Sequence, residues 1–234
     1  MRRALLALAA LTWPAAAEAA CRQALALGLD VSGSVDAREY RLQLDGLAAA
    51  LLRPGVQAAF LALPDAPVRL YVFEWAGVGS QREILPWTEV TGREVLAGIA
   101  GRLRATPRVP QDPGTAVGEA MLTGAAVLSE QPGCWRRTLD LSGDGQNNVG
   151  PQPREVRRDP RLGDTTVNAL VIGVPRRPDT VIAGLEDWFR IEVIRGPEAF
   201  VEIAAGFRDF EDAMARKLLK ELRTQAIGAL ERPQ

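Results

Sequence analysis

Residues 24–34 read ALALGLDVSGS, an apolar run that ends in the carboxylate Asp30 and is followed by Ser32, Gly33 and Ser34. A continuous apolar run of this length is typical of a strand that is buried on both faces of a parallel sheet. Apolar residues then recur at helical spacing from residue 37 onwards. The segment therefore predicts a buried strand, a short polar loop and a helix, in that order.

The rest of the chain continues this alternation of strand-like and helix-like segments, which predicts an α/β fold with a mainly parallel sheet and helices on both faces. An edge position is predicted for 83–88, because Pro86 cannot donate a ladder hydrogen bond. The other predicted strands are 24–30, 68–75, 137–144, 167–174 and 200–204. The predicted helices are 37–51, 56–63, 91–103, 115–129, 154–162, 180–189 and 207–222.

Length and composition restrict the possible functions. The 234 residues suit one domain, and 47 % hydrophobic with 24 % charged residues are ordinary globular values. A formal net charge of −1 lacks the basic field that nucleic-acid binding usually needs. The chain contains no histidine, which excludes Ser-His-Asp and Cys-His hydrolases and histidine-ligated zinc.

The first twenty residues have the order of an export signal. Arg2 and Arg3 come first, an apolar stretch over 4–13 follows, and small residues over 15–20 include the A-x-A pattern at 17–19. The apolar stretch is too short to span a bilayer. We therefore expect residues 1–20 to be a signal peptide and the mature chain to be periplasmic or secreted. The alternative is a short core helix at the N-terminus.

Three features of the sequence converge on one site. Asp30, Ser32 and Ser34 follow the first predicted strand, Thr115 opens a predicted helix, and Asp144 ends a later buried strand. Ligands of parallel α/β sheets bind beyond the carboxyl ends of the strands. Two carboxylates brought together there would repel each other unless a cation lies between them. The all-oxygen set predicts a hard cation, Mg²⁺ or else Mn²⁺ or Ca²⁺.

In these residues the chain resembles the von Willebrand factor type A family, whose metal-ion-dependent adhesion site is an Asp-x-Ser-x-Ser motif with a distant Thr and Asp. The matching residues are Asp30, Ser32, Ser34, Thr115 and Asp144. The resemblance implies a Rossmann-like three-layer fold over 21–234, with one short antiparallel edge strand. It also implies a cation that is held by the hydroxyls, and partly through water by the aspartates, and that can accept an acidic group from a protein partner.

The resemblance covers the whole predicted mature chain. The segments FEWAG (73–77), SGDGQNNVG (142–150) and RKLLKEL (216–222) are similar to an uncharacterised group of exported bacterial proteins in this superfamily. That group supplies a fold and a metal site but no substrate.

Several assignments in the site have alternatives. The Asp-x-Ser-x-Ser segment alone can be the cap and turn of the following helix, and Thr115 alone can be a helix cap. Thr106 and Asp112 are nearby substitutes for Thr115. Glu74 is a candidate outer-shell carboxylate or a solvent-facing residue at a strand end. Asn147 and Asn148 are candidates for the rim of the site or are turn formers.

The family fold makes the strands that end in Asp30 and Asp144 neighbours. Cys21 and Cys134 precede these aspartates by similar distances, so both cysteines fall near the opposite edge of the sheet. Export places the chain where disulfides persist. We therefore expect a Cys21–Cys134 disulfide; the alternative is two free thiols.

The leading interpretation is a non-enzymatic, metal-dependent binding module. A second is a magnesium-dependent phosphatase or phosphotransferase of the haloacid dehalogenase type, because residues 143–148 (GDGQNN) are similar to that family's G-D-G-x-N-D motif. Against it, Ser32 occupies the place of the second aspartate, and the only two lysines are Lys217 and Lys220. A third is a domain whose metal only stabilises the fold.

Overall fold

The computed structural model describes residues 20–173 and 179–230, and for 179–181 and 223–230 it describes the backbone only. The expected signal peptide, apart from residue 20, lies outside the described residues. No helix in the described part of the chain is long and apolar enough to cross a membrane.

Six strands form one sheet in the order β3-β2-β1-β4-β5-β6. All neighbouring pairs are parallel except β2 and β3, which are antiparallel. The fold class expected from the sequence is confirmed. The strands are β1 (Gln23–Asp30), β2 (Val68–Trp75), β3 (Gln81–Val90), β4 (Arg137–Gly143), β5 (Thr166–Ile172) and β6 (Val201–Ala204).

Helices cover both faces of the sheet, because alternate residues of each buried strand point to opposite sides. Leu25, Leu27 and Leu29 of β1 pack against one group of helices, and Ala24 and Ala26 pack against the other. The first group is α1 (Ala37–Leu52), α2 (Pro54–Phe60), α3 (Arg93–Ala105) and α7 (Phe210–Leu230). The second is α4 (Val117–Ser129), α5 (Pro153–Val156) and α6 (Asp179–Glu192).

The polar helix predicted over 154–162 is wrong. The chain forms only the short α5 and then a 3₁₀ turn at Pro160–Leu162. Proline has no N–H to donate and disfavours helical geometry in the residue before it. Asp159 is accordingly extended, with ψ of 129°, and its side chain accepts from the amide of Arg161 to cap the new turn.

The edge strand is longer than predicted, ten residues instead of six. Thr88 pairs with Leu70 and Leu85 pairs with Val72, so the register shifts between them. The shift places Pro86 at a bulge, where its missing donor costs no ladder hydrogen bond.

The expected disulfide between Cys21 and Cys134 is present and joins residues 113 positions apart. The two cysteines also form an isolated parallel bridge just before β1 and β4. The disulfide thus ties these central strands together at their amino ends, whereas the candidate site lies at their carboxyl ends.

Candidate metal centre

The candidate site lies where the strand order reverses. β1 and β4 are neighbours, and from them the sheet continues outward through β2 on one side and β5 on the other. Crevices of open α/β sheets form at such switch points, beyond the carboxyl ends of the strands. Asp30 is the last residue of β1 and Asp144 directly follows β4. The register, with Leu29 opposite Ser142, brings both aspartates to the same edge.

The two halves of the motif are in direct contact. The hydroxyl of Ser34 donates a 2.6 Å hydrogen bond to Oδ1 of Asp144. The Oγ atoms of Ser32 and Ser34 lie 3.3 Å apart, and the Ser32 amide donates to Oδ1 of Asp30 at 2.9 Å. Asp30, Ser32 and Asp144 are buried, whereas Ser34 is exposed. The cluster is therefore open to solvent on the Ser34 side.

The charge of Asp30 is poorly compensated within the protein. Its Oδ2 atom is buried and has no hydrogen-bond donor among the described residues. Burial, and then the negative charge of Asp144, raise the pKa of Asp30 to about 7, although hydrogen bonds from Ser32 and from the Asp144 amide act in the opposite direction. A cation held by these carboxylates would give Oδ2 a partner, and its positive charge would offset the repulsion between the two negative charges.

Loop geometry brings Thr115 to the same place. The amide of Thr115 donates to Oδ1 of Asn148 at 2.9 Å, and the amide of Asn148 donates to the Thr115 carbonyl at 3.0 Å. Thr115 is 6 % exposed, and its Cγ2 lies 3.9 Å from where a Cβ on Gly145 would be. Thr115 therefore lies beside the residue that follows Asp144.

The capping alternatives are not supported. Thr115 stands two residues before α4, whose N-cap is Ala116, and the helix has no side-chain cap. The cap of α1 is Asp36, in a capping box with Glu39, so Asp30, Ser32 and Ser34 do not serve that purpose. Asp30 does accept from the Ser32 amide in the turn after β1, as the turn alternative expects, but none of these side chains caps α1 or α4.

The two substitutes considered for Thr115 have local partners. The hydroxyl of Thr106 donates to the Arg102 carbonyl at the end of α3. The carboxylate of Asp112 accepts from the Gly114 amide at 2.7 Å. Both bonds stabilise the loop over 106–114 that leads to Thr115.

Asn147 and Asn148 both bridge the loop after β4 to the segment that carries Thr115. Oδ1 of Asn147 accepts from the amide of Gly118, one of the first-turn amides of α4 that have no helical partner. The Nδ2 group of Asn147 is buried and makes no hydrogen bond within the part of the chain that the structure describes. Asn148, for which the sequence leaves a rim residue and a turn former as alternatives, holds Thr115 through its amide and its side chain.

Glu74 is not solvent-facing, since it is 1 % exposed. Its Oε1 accepts from the Tyr40 hydroxyl at 2.6 Å and its Oε2 accepts from Nε of Arg82 at 2.7 Å. Arg82 also donates to the Pro107 carbonyl at 3.0 Å, and the Tyr40 hydroxyl oxygen lies 3.1 Å from the same carbonyl oxygen. Glu74 thus anchors the start of the loop that delivers Thr115.

Sequence reasoning missed a buried bridge beneath the site. Nε2 of Gln43 donates to the carbonyl of Asp30 at 2.9 Å, and Ser142 donates to Oε1 of Gln43 at 2.8 Å. Gln43 is fully buried on α1. The bridge links the ends of β1 and β4 through the helix above them. Gln43, a polar residue between the apolar positions Tyr40 and Leu44, is the signal in the sequence that could have predicted this bridge.

The donor set fits a hard divalent cation. Within the described residues, no group of three or more Cys, Asp or Glu side chains could hold a metal by itself. The two aspartates must therefore be complemented by neutral oxygens, which Ser32, Ser34 and Thr115 offer. Oxygen ligands and few direct carboxylates suit Mg²⁺, which commonly keeps several waters.

The lysines that a haloacid dehalogenase-type reaction would need are elsewhere. Lys217 is fully buried, and its Nζ atom lies 2.7 Å from Asp140 and 3.0 Å from Glu221. Lys220 lies over the ring of Phe200. Neither lysine contacts Asp30 or Asp144 in these interactions.

Solved structures share this fold. The pilus adhesin SpaC from Lactobacillus rhamnosus GG is 14 % identical, with a TM-score of 0.61 over 88 % of this chain and 31 % of that one. A von Willebrand factor type A protein from Catenulispora acidiphila is 15 % identical, with a TM-score of 0.57 over 86 % and 43 %. Proximal thread matrix protein 1 from the mussel byssus, with a zinc-occupied MIDAS (metal-ion-dependent adhesion site) motif, is 16 % identical, with a TM-score of 0.58 over 88 % of this chain and 47 % of that one.

The chain thus spans about a third to a half of the length of these proteins. At such low identity the similarity establishes the fold alone, and this fold is the von Willebrand factor type A fold expected from the sequence. No curated protein matches the chain in sequence. A family model described as "Protein of unknown function (DUF1194)" matches residues 20–226, and the chain therefore belongs to this family.

Proposed function

We propose that the protein is an exported, non-enzymatic binding module that holds one divalent cation through Asp30, Ser32, Ser34, Thr115 and Asp144. The cation, Mg²⁺ or else Mn²⁺ or Ca²⁺, would supply a positive centre that accepts a carboxylate from a protein partner. The observation that carries the proposal is the 2.6 Å hydrogen bond from Ser34 to Asp144, which joins residues 110 positions apart into one cluster.

The side chains have separable roles in this proposal. Asp30 and Asp144 provide the negative charge, and the buried Oδ2 of Asp30 accepts no hydrogen bond from the described residues. Ser32, Ser34 and Thr115 provide neutral oxygens, which leave the site less negative than an all-carboxylate site. A cation held in this way keeps part of its charge for an external carboxylate, and the exposed Ser34 side gives that carboxylate access.

A cavity beside the motif provides room for a partner. It measures about 340 Å³ and is lined by Ser32, Gly33, Arg108, Pro110 and Pro113, among others. The Gly33 amide donates to the Pro113 carbonyl at 3.0 Å, so the motif and the proline-rich loop form one wall. The exposed Arg108 adds positive charge there, which favours an acidic partner.

The proposal is tested by selecting a displayed library of random heptapeptides on the immobilised protein, in Mg²⁺ and in EDTA. We expect Mg²⁺-dependent enrichment of peptides with Asp or Glu, and no such enrichment on an Asp30→Ala/Ser32→Ala variant. Multivalent display detects the weak affinities that single peptides give. Equal selection with and without Mg²⁺ would contradict a metal-dependent binding module.

The same preparations separate the other two interpretations. A purely structural metal would raise the melting temperature without any acidic enrichment. A phosphatase would release phosphate from an aryl phosphate in Mg²⁺ and lose this activity in Asp30→Asn. We expect neither result.

A further inference from the structure

Two exposed aliphatic side chains lie at the edge of the sheet that carries the candidate metal site. Among the described residues, four large hydrophobic side chains are exposed, namely Val78, Trp135, Val149 and Ile191. Val78 lies in the turn between β2 and β3, and Val149 lies in the loop after β4. Both loops follow the carboxyl ends of their strands. Trp135, in contrast, follows the disulfide residue Cys134 at the opposite edge.

The two valines cover adjoining glycine backbone. A Cβ on Gly150 would lie 2.8 Å from Cγ2 of Val78, and a Cβ on Gly114 would lie 2.7 Å from Cγ1 of Val149. That same Cβ on Gly114 would lie 3.3 Å from Cα of Gly77. Val78, Val149, Gly114 and Gly150 therefore adjoin one another at this edge, and we call them the valine patch. The exposed Asp112 borders the patch, since its Oδ1 would lie 2.8 Å from a Cβ on Gly114 and 2.0 Å from a Cβ on the buried Gly77.

The valine patch adjoins the metal-site residues along two segments of the chain. Gly114 directly precedes Thr115, and Val149 directly follows Asn148, whose amide and side chain hold Thr115. A single apolar residue at a surface is ordinary, whereas an apolar patch beside a polar site is typical of protein recognition. Here Gly114 and Val149 directly adjoin Thr115 and Asn148 in the sequence.

We propose that the partner presents an acidic residue with an aliphatic side chain no more than two positions away. The carboxylate would bind at the cation, and the aliphatic side chain would pack on Val78 and Val149. An extended peptide rises about 3.3 Å per residue, so the two side chains match adjoining subsites. This inference rests on the proposed function and adds the feature that selects among acidic partners.

The patch should contribute about a tenfold preference for an aliphatic neighbour over a polar one, because burying part of a Leu or Val side chain has an effect of that size. A metal site without the patch would bind the carboxylate and would not discriminate between aliphatic and polar residues beside it. The aliphatic preference therefore separates the two contributions.

The test repeats the heptapeptide selection in Mg²⁺ on a Val78→Thr/Val149→Thr variant. These isosteric changes alter no proposed ligand of the cation. Ile191→Thr, at an exposed position on α6, is the matched control. Calorimetric titration with Mg²⁺ confirms that the metal affinity of each variant is unchanged.

On the wild-type protein and on Ile191→Thr, we expect enriched peptides to carry Leu, Ile, Val or Met within two positions of the Asp or Glu. On the double variant, acidic enrichment should persist while the aliphatic enrichment disappears. Acidic enrichment without an aliphatic neighbour on the wild type would overturn this inference and leave the proposed function intact. An aliphatic preference that survives in the double variant would also overturn it. Absence of any Mg²⁺-dependent enrichment would overturn both.

Discussion

The hydroxyl of Ser34 donates a 2.6 Å hydrogen bond to Oδ1 of Asp144, although the two residues are 110 positions apart in the chain. This contact connects the loop after β1 to the loop after β4 at the switch point of the sheet. This contact and the buried Oδ2 of Asp30, which has no hydrogen-bond donor among the described residues, define the candidate cation site.

Asp30→Asn should stabilise the metal-free protein and abolish cation binding. Burial and the negative charge of Asp144 both disfavour the ionised form of Asp30. Asparagine removes that charge, and its Oδ1 can still accept from the Ser32 amide. We expect the free energy of unfolding in EDTA to rise by about 1 kcal/mol, measured by urea denaturation. A fall in stability would mean that the two carboxylates do not repel each other significantly.

Glu74→Gln should weaken cation binding without touching the motif itself, because Glu74 anchors the loop that carries Thr115. Replacement of an outer-shell group typically costs 10–100-fold in metal affinity, and we expect about tenfold here. The matched control is Glu89→Gln, since Glu89 pairs with Arg69 at the other end of β2 and β3. Calorimetry with Mg²⁺ measures both variants. Unchanged affinity in Glu74→Gln would show that Glu74 has only a structural role.

The Cys21→Ala/Cys134→Ala variant should lose about 4–5 kcal/mol of unfolding free energy in the chain-entropy model, because the disulfide closes a loop with a separation of 113 residues. Chemical denaturation measures the loss. Cation affinity should stay the same, since the disulfide lies at the opposite ends of β1 and β4. Two titratable thiols in the unfolded, unreduced protein would show that the bridge is not formed.

Lys217→Met should destabilise the protein by about 3–5 kcal/mol, because it leaves Asp140 and Glu221 buried without their cation. Asp140→Asn combined with Lys217→Met should recover part of this loss, as one of the two buried charges is then removed. Lys220→Met removes a lysine of the same helix that lies over the ring of Phe200 and is not held between two buried carboxylates, and we expect it to cost less than Lys217→Met. A cost below 1 kcal/mol for Lys217→Met would mean that water reaches the cluster of Lys217, Asp140 and Glu221.

The strands and the placement of the motif could be predicted from the sequence, because both depend on local patterns. The apolar run before Asp30 predicts β1, and the run before Asp144 predicts β4. The expectation that the two aspartates share an edge required only the parallel order of the strands. The antiparallel edge strand and the disulfide followed from the resemblance to the family fold.

The contacts that hold the site could not be predicted, because they join segments that are distant in sequence. Asn148 is hydrogen-bonded to Thr115, 33 positions away in the sequence, and Gln43 is hydrogen-bonded to Ser142, 99 positions away. Glu74 at the end of β2 has the pattern of a solvent-facing residue, and only the folded chain shows that Tyr40 and Arg82 cover it. The helix predicted over 154–162 does not form as one element because Pro160 interrupts it.

The most direct test of the central claim is a calorimetric titration of the EDTA-stripped protein with Mg²⁺, Mn²⁺ and Ca²⁺, beside Asp30→Ala/Ser32→Ala. Asp45→Ala is the control, because this exposed residue of α1 pairs only with Arg41 in the described structure. The account predicts one binding site in the wild type and in the control, and none in the double variant. Absence of binding in the wild type, or one-site binding that survives in the double variant, would contradict a cation site built on Asp30 and Ser32.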